Sequence, residues 1–480
     1  MVIVGAGIGG LALGIGLIED GIDDFVILER SDGIGGTWRH NTYPGAACDV
    51  PSHLYSFSFA PNPFWTKTYA NQPEILEYLE RCADDGGVRP HLRTGWKVAT
   101  AEWSENDRHW TIRSDDGRTV RGEVVVFATG MFAEPRPPAI DGVESFEGAL
   151  IHSARWDHSI GLDGKRIGVI GTGASGVQII PEVAEVASHT TVFQRTPPWV
   201  LPRPDKPYSD EDHRRFSTDP EALAAVRDEL YRAFEGTEAF RLGNPITEVI
   251  ATLADEHRAA AISDEDLRAK VMPDYALGCN RTLVSTDYYR ALERDDVDLV
   301  TDPIVRITPE GVETADGRLH HLDVLVTATG FKVGEYLHGI DVVGRDGEHL
   351  HRRWADHPYA FLGMAVNDFP NLFVFYGPNT NQGGNSIILI LEAQAGYVRG
   401  ALDTMKRDGL AAIDVKPEVL AVYDRQIQEA MLDTVWSTGC NSYFVDDDGR
   451  VVTQLPHTSA WYARRTAEFV VDDYEVVPRS

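Results

Sequence analysis

Two glycine-rich turns carry the clearest chemistry in this chain. The first is Gly5-Ala6-Gly7-Ile8-Gly9-Gly10, and the second is Gly171-Thr172-Gly173-Ala174-Ser175-Gly176. Each follows a short apolar run and opens a helix-like segment, the arrangement in which a helix amino terminus faces a pyrophosphate. In the first, Gly5 permits the tight turn, Gly7 lets backbone approach the phosphates, and Gly10 lets helix and strand pack closely. The next apolar run ends at Glu29, an acid placed to hold ribose hydroxyls and to repel a 2′-phosphate, which suits FAD or NAD. After the second turn the corresponding run ends at Gln194-Arg195-Thr196. A guanidinium forks onto a 2′-phosphate and Thr196 adds a hydroxyl, so this site is expected to prefer NADPH. One chain with both turns is expected to bind two nucleotide cofactors.

The elements that position these turns can be placed coarsely. Strands are expected at Val2 to Val4, Phe25 to Leu28, Arg121 to Phe127, Arg166 to Ile170, Thr191 to Phe193, Leu322 to Val326 and Leu372 to Tyr376, with helices over Leu11 to Ile18 and Ile387 to Tyr397. Two strands run into Ala128-Thr129-Gly130 and Ala328-Thr329-Gly330, expected crossings between nucleotide domains. Proline-rich Glu134-Pro135-Arg136-Pro137-Pro138 follows the first as a stiff linker. From about Pro204 to Val271 the chain turns to Glu, Asp, Arg and Ala at helical spacings, read as a helical insertion. The fold class is therefore α/β, with two doubly wound dinucleotide-binding domains. Residues 1–137 and 330–480 are expected to make the first dinucleotide-binding domain, for FAD or NAD, with 138–204 and 272–329 the second, for NADP, and 205–271 the insertion.

Composition narrows the class further. The 480 residues are 43% hydrophobic and 25% charged, as in soluble globular proteins of two or three domains. A formal charge of -30 argues against nucleic acid or anionic membrane as partner, so an anionic cofactor must find locally basic pockets. Cys48, Cys82, Cys279 and Cys440 lie far apart with no Cys-x-x-Cys, so no redox dithiol or zinc site is indicated and reduced cytoplasmic thiols are expected. The chain starts on its first strand and has no apolar run near eighteen residues, so neither secretion nor membrane spanning is expected.

Between the two turns lies Phe146-Glu147-Gly148-Ala149-Leu150-Ile151-His152-Ser153-Ala154-Arg155-Trp156-Asp157. This stretch resembles the signature of the Baeyer-Villiger monooxygenases, Phe-x-Gly-x-x-x-His-x-x-x-Trp followed by Pro or Asp, and every fixed position is present. A second family signature fits Gly35-Gly36-Thr37-Trp38 through Tyr43-Pro44-Gly45-Ala46-Ala47-Cys48-Asp49. The resemblance implies an NADPH- and FAD-dependent enzyme that inserts one atom of dioxygen beside a ketone carbonyl, giving an ester or lactone through a peroxyflavin. It also implies site residues. Gly36, Thr37, Trp38, Tyr55, Val98 and Ile387 join the first turn around FAD. Phe146, Gly148, His152, Trp156 and Asp157 couple cofactor binding to domain closure. Arg281, in a segment resembling the family's Gly-x-Lys-Arg motif, becomes the catalytic arginine, held by the carboxylate of Asp49.

The chemical need for such a pair is plain. A fixed guanidinium in a water-excluding site stabilises oxyanions, and one preorganised donor of this kind is worth roughly 3 kcal/mol, about a hundredfold in rate. Two positions depart from the family pattern. Asn280 stands where a phosphate-binding lysine is usual, which shifts the burden of NADPH preference onto Arg195. Tyr443, in Asn441-Ser442-Tyr443-Phe444, replaces a loop tryptophan that covers the nicotinamide. The alternatives are a flavin-dependent N- or S-oxygenase, which usually lacks the Trp156-Asp157 ending, a flavin disulfide reductase, which needs a paired cysteine motif, and a non-catalytic flavin-binding protein. Expected partners are a small ketone and dioxygen, with the enzyme a monomer or homodimer.

Overall fold

The computed structural model describes residues 1–479. Its frame is two five-stranded sheets, each entirely parallel. The first has the order Leu372–Val374, Val125–Phe127, Val2–Val4, Val26–Leu28, Leu92–Arg93. The second has the order Val297–Val300, His189–Phe193, Arg166–Ile170, Val324–Thr327, Ala149–His152. Parallel strands need long crossovers and cover on both faces, which is why the central strands read as unbroken apolar runs. Val2, Ile3, Val125, Val126 and Phe127 are fully buried.

Both sheets place a fingerprint helix directly after their central strand. Helix Ile8–Glu19 follows Val2–Val4, and helix Ala174–Val186 follows Arg166–Ile170. The helix Ile387–Arg407 packs beside the first and runs well beyond the Tyr397 end expected from sequence. Its Arg399 pairs with Asp20 at 2.5 Å and lies over Gly16, where a side chain would push the guanidinium aside.

The segment Arg121 to Phe127 corrects the single strand expected there. Thr119–Gly122 belongs to a separate four-stranded sheet with Asp341–Val343, Val98–Ser104 and His109–Ser114, and the chain re-enters the parallel sheet only at Val125. Gly122 makes the break possible because a Cβ there would sit 2.8 Å from a Val2 methyl. This sheet was not foreseen, nor was the antiparallel meander Ile304–Thr308, Gly311–Thr314, Leu319–His321.

The insertion comprises four helices, Asp210–Thr218, Pro220–Phe234, Pro245–Ala261 and Glu265–Lys270. Each begins with a side-chain cap. Ser209 and Asp212 form a reciprocal capping box, and Asp219, Asn244 and Asp264 each accept a first-turn N–H, with proline opening two of the helices. The two chain passages between the sheets run side by side. Pro135 and Phe331 form an antiparallel bridge, the Arg136 N–H donates to Gly330 O at 2.9 Å, and the Lys332 N–H donates to Glu134 O at 2.9 Å. Among the described residues no helix is long and apolar enough to cross a membrane.

Candidate active site

The carboxyl ends of both parallel sheets open onto one cleft of about 2160 Å³, well above the roughly 300–1,000 Å³ of an ordinary ligand pocket. The two fingerprints line it in matching ways. Gly5 and Gly171 both have positive φ, 106° and 103°, and a side chain on either would press on the carbonyl of Ala128 or Ala328, the alanines of the two Ala-Thr-Gly strand ends. A side chain on Gly10 or Gly176 would land on the carbonyl of Gly5 or Gly171. Gly173 has open space before it, and the helices after Gly7 and Gly173 have no side-chain cap, so their first N–H groups face the cleft without an internal acceptor.

Glu29 is buried at the end of its strand. One carboxylate oxygen accepts the Ala6 N–H at 2.8 Å; the other accepts the N–H and hydroxyl of Ser31 at 2.8 and 2.7 Å. It therefore fixes the first fingerprint loop as well as facing the cleft. Gly35 and Gly36 rest on that same loop, with the Gly35 N–H donating to Ala6 O at 3.0 Å and Gly36 close against Gly7. Trp38 donates its indole N–H to the Tyr55 hydroxyl at 3.0 Å, with the two rings edge to face. Thr37, Val98 and Ile387 complete this wall. On the opposite side Thr172, Ala174, Ser175, Arg195, Thr196 and Asn280 line the cleft, with Arg195 and Thr196 exposed to it just beyond strand His189–Phe193.

Arg281 and Asp49 meet across this space as an ion pair, although 232 residues separate them in sequence. The Arg281 side chain is 43% accessible, an exposure onto the cleft that protein surrounds. The neighbouring Asp49 carboxylate, opposed by burial, raises the guanidinium pKa, so Arg281 is a permanent cation. Burial raises the phenols of Tyr376 and Tyr443 beside it, so both stay protonated. Tyr376 holds φ 56°, an uncommon conformation for a bulky residue, and its hydroxyl donates to Asn381 Oδ1 at 2.6 Å. In sequence Tyr376 stands only as a strand end, and the turn signal Tyr376-Gly377-Pro378-Asn379 at the carboxyl end of that strand is the local mark of a site residue.

The Asp49 loop is also the seam between the two nucleotide units. Gln178, on the second fingerprint helix, donates to Ala47 O at 3.0 Å and accepts the Tyr43 hydroxyl at 2.9 Å. Gly45 passes so close that a Cβ would lie 2.6 Å from Gln178 O. Part of the Gly-Gly-x-Trp signature thus serves contact between units. The other signature behaves similarly. His152 Nε2 lies 3.2 Å from Arg136 O and 3.3 Å from the Thr329 hydroxyl, touching both chain passages, and burial lowers its pKa. Gly148 is wedged where a Cβ would meet the Phe146 ring and, at 2.6 Å, Asp323 O. Trp156 packs on the apolar core of the second parallel sheet; Asp157 is exposed and caps Ser159, so it is a local turn former here.

The expectation of four reduced cysteines is corrected. Cys279 and Cys440, 161 residues apart, form a disulfide, while Cys48 and Cys82 are free and buried. Sequence separation hid the pairing because only the fold brings the Arg281 segment against the C-terminal loop. Also unforeseen is a grouping outside the cleft, where His349 and His351 both turn Nδ1 toward the carboxylate of Asp341, at 2.7 and 3.3 Å.

Two parallel nucleotide-binding sheets sharing one cleft, with a fixed guanidinium between them, define an oxidoreductase that uses two dinucleotides. Residues 2–212 match the family model described as pyridine nucleotide-disulphide oxidoreductase. The chain is 40% identical over 478 residues to a Baeyer-Villiger monooxygenase of Streptomyces coelicolor, covering 99% of this chain and 92% of that one. It is 38% identical over 477 residues to one of Pseudomonas aeruginosa, covering 99% and 90%. Among solved structures, cyclohexanone monooxygenase from Rhodococcus sp. Phi1 bound to NADP+ superposes with a TM-score of 0.90 at 30% identity over 100% of this chain and 99% of that one. OTEMO in complex with FAD and NADP superposes with a TM-score of 0.88 at 29% identity over 99% of each. The chain belongs to the Baeyer-Villiger monooxygenase family.

Proposed function

We propose that this enzyme oxygenates ketones to esters or lactones in the shared cleft, using FAD on the Glu29 side and NADPH on the Arg195 side. The observation that carries this reading is the Arg281–Asp49 ion pair between the two fingerprints. FAD reduced by NADPH supplies the electrons that activate dioxygen. Gly5, Gly7, Gly10, Glu29, Gly36, Thr37, Trp38, Tyr55, Val98 and Ile387 hold the flavin nucleotide. Gly171 through Gly176, Arg195, Thr196 and Asn280 hold the nicotinamide nucleotide. Arg281 offers planar N–H donors to negative charge that develops on oxygen as it is transferred beside the carbonyl, and Asp49 fixes the fork and keeps the pocket near neutral. Phe146, Gly148, His152 and Trp156 tie cofactor binding to the two chain passages.

The ketone end is walled by the insertion, whose Ala233, Phe234, Ala239, Phe240 and Ile250 line the cleft. That lining favours an apolar ketone. We place the enzyme in the cytoplasm as a monomer or homodimer, and its net charge of -30 suits small-molecule rather than nucleic-acid partners. The test is turnover of linear and cyclic ketones with NADPH and isotopically labelled dioxygen. One labelled oxygen in an ester or lactone is expected; sulfoxide from a thioether control, with every ketone recovered unchanged, overturns the reading.

A further inference from the structure

We propose that the Cys279–Cys440 disulfide is a strap that positions Arg281 against the C-terminal loop, so that coupled oxygenation depends on the thiol–disulfide state of this pair. The proposal rests on the role given to Arg281 above. Cys279 lies two residues before Arg281, and Cys440 three before Tyr443, whose ring faces the same cleft. Residues 277–282, which carry Arg281, have no helix or strand of their own. What holds them is a buried knot. The Trp436 indole N–H donates to Gly278 O at 3.1 Å, and the Phe240 ring stacks on Trp436 with centroids 5.3 Å apart. Phe240 also fills the space a side chain on Gly278 would need. The disulfide is the one covalent tie in this knot. It joins the arginine segment to the loop whose Tyr443 packs on Phe132 and Phe444, at ring distances of 6.1 and 4.6 Å.

Chemical access is one-sided. Both cysteines are nearly buried, at 6% and 9% exposure, but Cys440 lines the cleft. A small dithiol entering there can attack Cys440 Sγ as thiolate. The Cys279–Cys440 bond breaks, a mixed disulfide forms, and the second thiolate of the reductant then displaces Cys440. The protein gains two electrons and two protons as two thiols, and the reductant leaves as a cyclic disulfide. Disulfides are rare in reducing compartments and, where present, are usually transient or redox-sensing, so in the cytoplasmic setting proposed above this bond would serve as a switch rather than a permanent staple.

The experiment uses the FAD-loaded enzyme with dithiothreitol as the probe. Maleimide labelling after denaturation, read by mass, is expected to find two reactive cysteines in the purified enzyme and four after reduction. Ketone product per NADPH is expected to fall at least fivefold on reduction, with flavin content unchanged, and to recover on reoxidation. Cys279→Ser and Cys440→Ser should match the reduced wild type and no longer respond to dithiothreitol. Four labelled cysteines in fully coupled enzyme overturn the proposal, as does loss of flavin or thermal stability on reduction with product per NADPH unchanged. If the serine variants fail to fold, reduction of the folded wild type decides the matter. Arg281→Ala separates the two ideas: an uncoupled Arg281→Ala beside a fully coupled Cys440→Ser removes the strap alone, whereas a coupled Arg281→Ala removes the arginine's role.

Discussion

Replacing Arg195 by alanine removes a cation from the end of strand His189–Phe193 and should change coenzyme choice more than anything else. Arg195 is exposed to the cleft and, among the described residues, has no carboxylate partner, so its charge is free for a ligand. A charge-assisted hydrogen bond is worth about 1.5–3 kcal/mol, and the exposure of this site places the loss near the lower end, about 2 kcal/mol or roughly thirtyfold in affinity. Asn280 lines the same cleft and offers no charge to compensate. The assay is kcat/KM for NADPH and for NADH at fixed ionic strength, since screening weakens exposed contacts. For Arg195→Ala the NADPH/NADH ratio should fall about ten- to thirtyfold, through KM for NADPH, with NADH turnover little changed. Asn280→Lys should move the ratio the other way. An unchanged ratio in Arg195→Ala would refute the assignment of the 2′-phosphate to this strand end.

Three further outcomes follow from the geometry. Glu29→Gln places an amide against N–H and hydroxyl donors that now meet a carboxylate, costing about 1–3 kcal/mol, so FAD should dissociate about tenfold faster or more; stoichiometric flavin after extensive dialysis would contradict this. Asp49→Asn keeps shape but releases the Arg281 fork, so product per NADPH should drop several-fold while flavin stays bound; intact coupling would mean Asp49 is not its positioner. Burial pushes the Asp414 carboxyl up from 3.8 to about 7 despite Arg345 at 2.8 Å, and its Oδ1 has no partner among the described residues. The folded state thus favours the protonated acid, whose stability contribution is complete below about pH 4 and is lost as pH rises through 7. Asp414→Asn should therefore flatten the fall in Tm between about pH 5 and pH 8, and parallel Tm curves would exclude this effect.

The legible parts of this protein were those encoded by local constraint. Gly5, Gly10, Gly171 and Gly176 announce themselves because no other residue fits where a neighbouring carbonyl presses, and the parallel core strands read as continuous apolar runs. The insertion helices were legible through spacing, and their Ser, Asp and Asn caps mark the starts. Contacts between distant segments were not. Gln178 against the Asp49 loop, Tyr376 beside Arg281 and the pairing of Cys279 with Cys440 leave no periodic trace, because each depends on how the two sheets face one another. The mixed sheet through Trp103 and Trp110 was missed because its strand Thr119–Gly122 runs almost directly into a core strand, so two short elements looked like one. The Asp49–Arg281 pairing followed from family resemblance and could not have been reached from spacing across 232 residues.

The central claim is that Arg281 serves oxygen transfer to the ketone, and the direct measurement is ester or lactone formed per NADPH consumed by Arg281→Ala and Arg281→Lys, each with its flavin content checked. Arg281→Ala should still oxidise NADPH slowly, releasing hydrogen peroxide with no oxygenated product. Arg281→Lys keeps the charge without the planar fork and should recover only part of the yield. Wild-type product yield per NADPH in Arg281→Ala would contradict the claim.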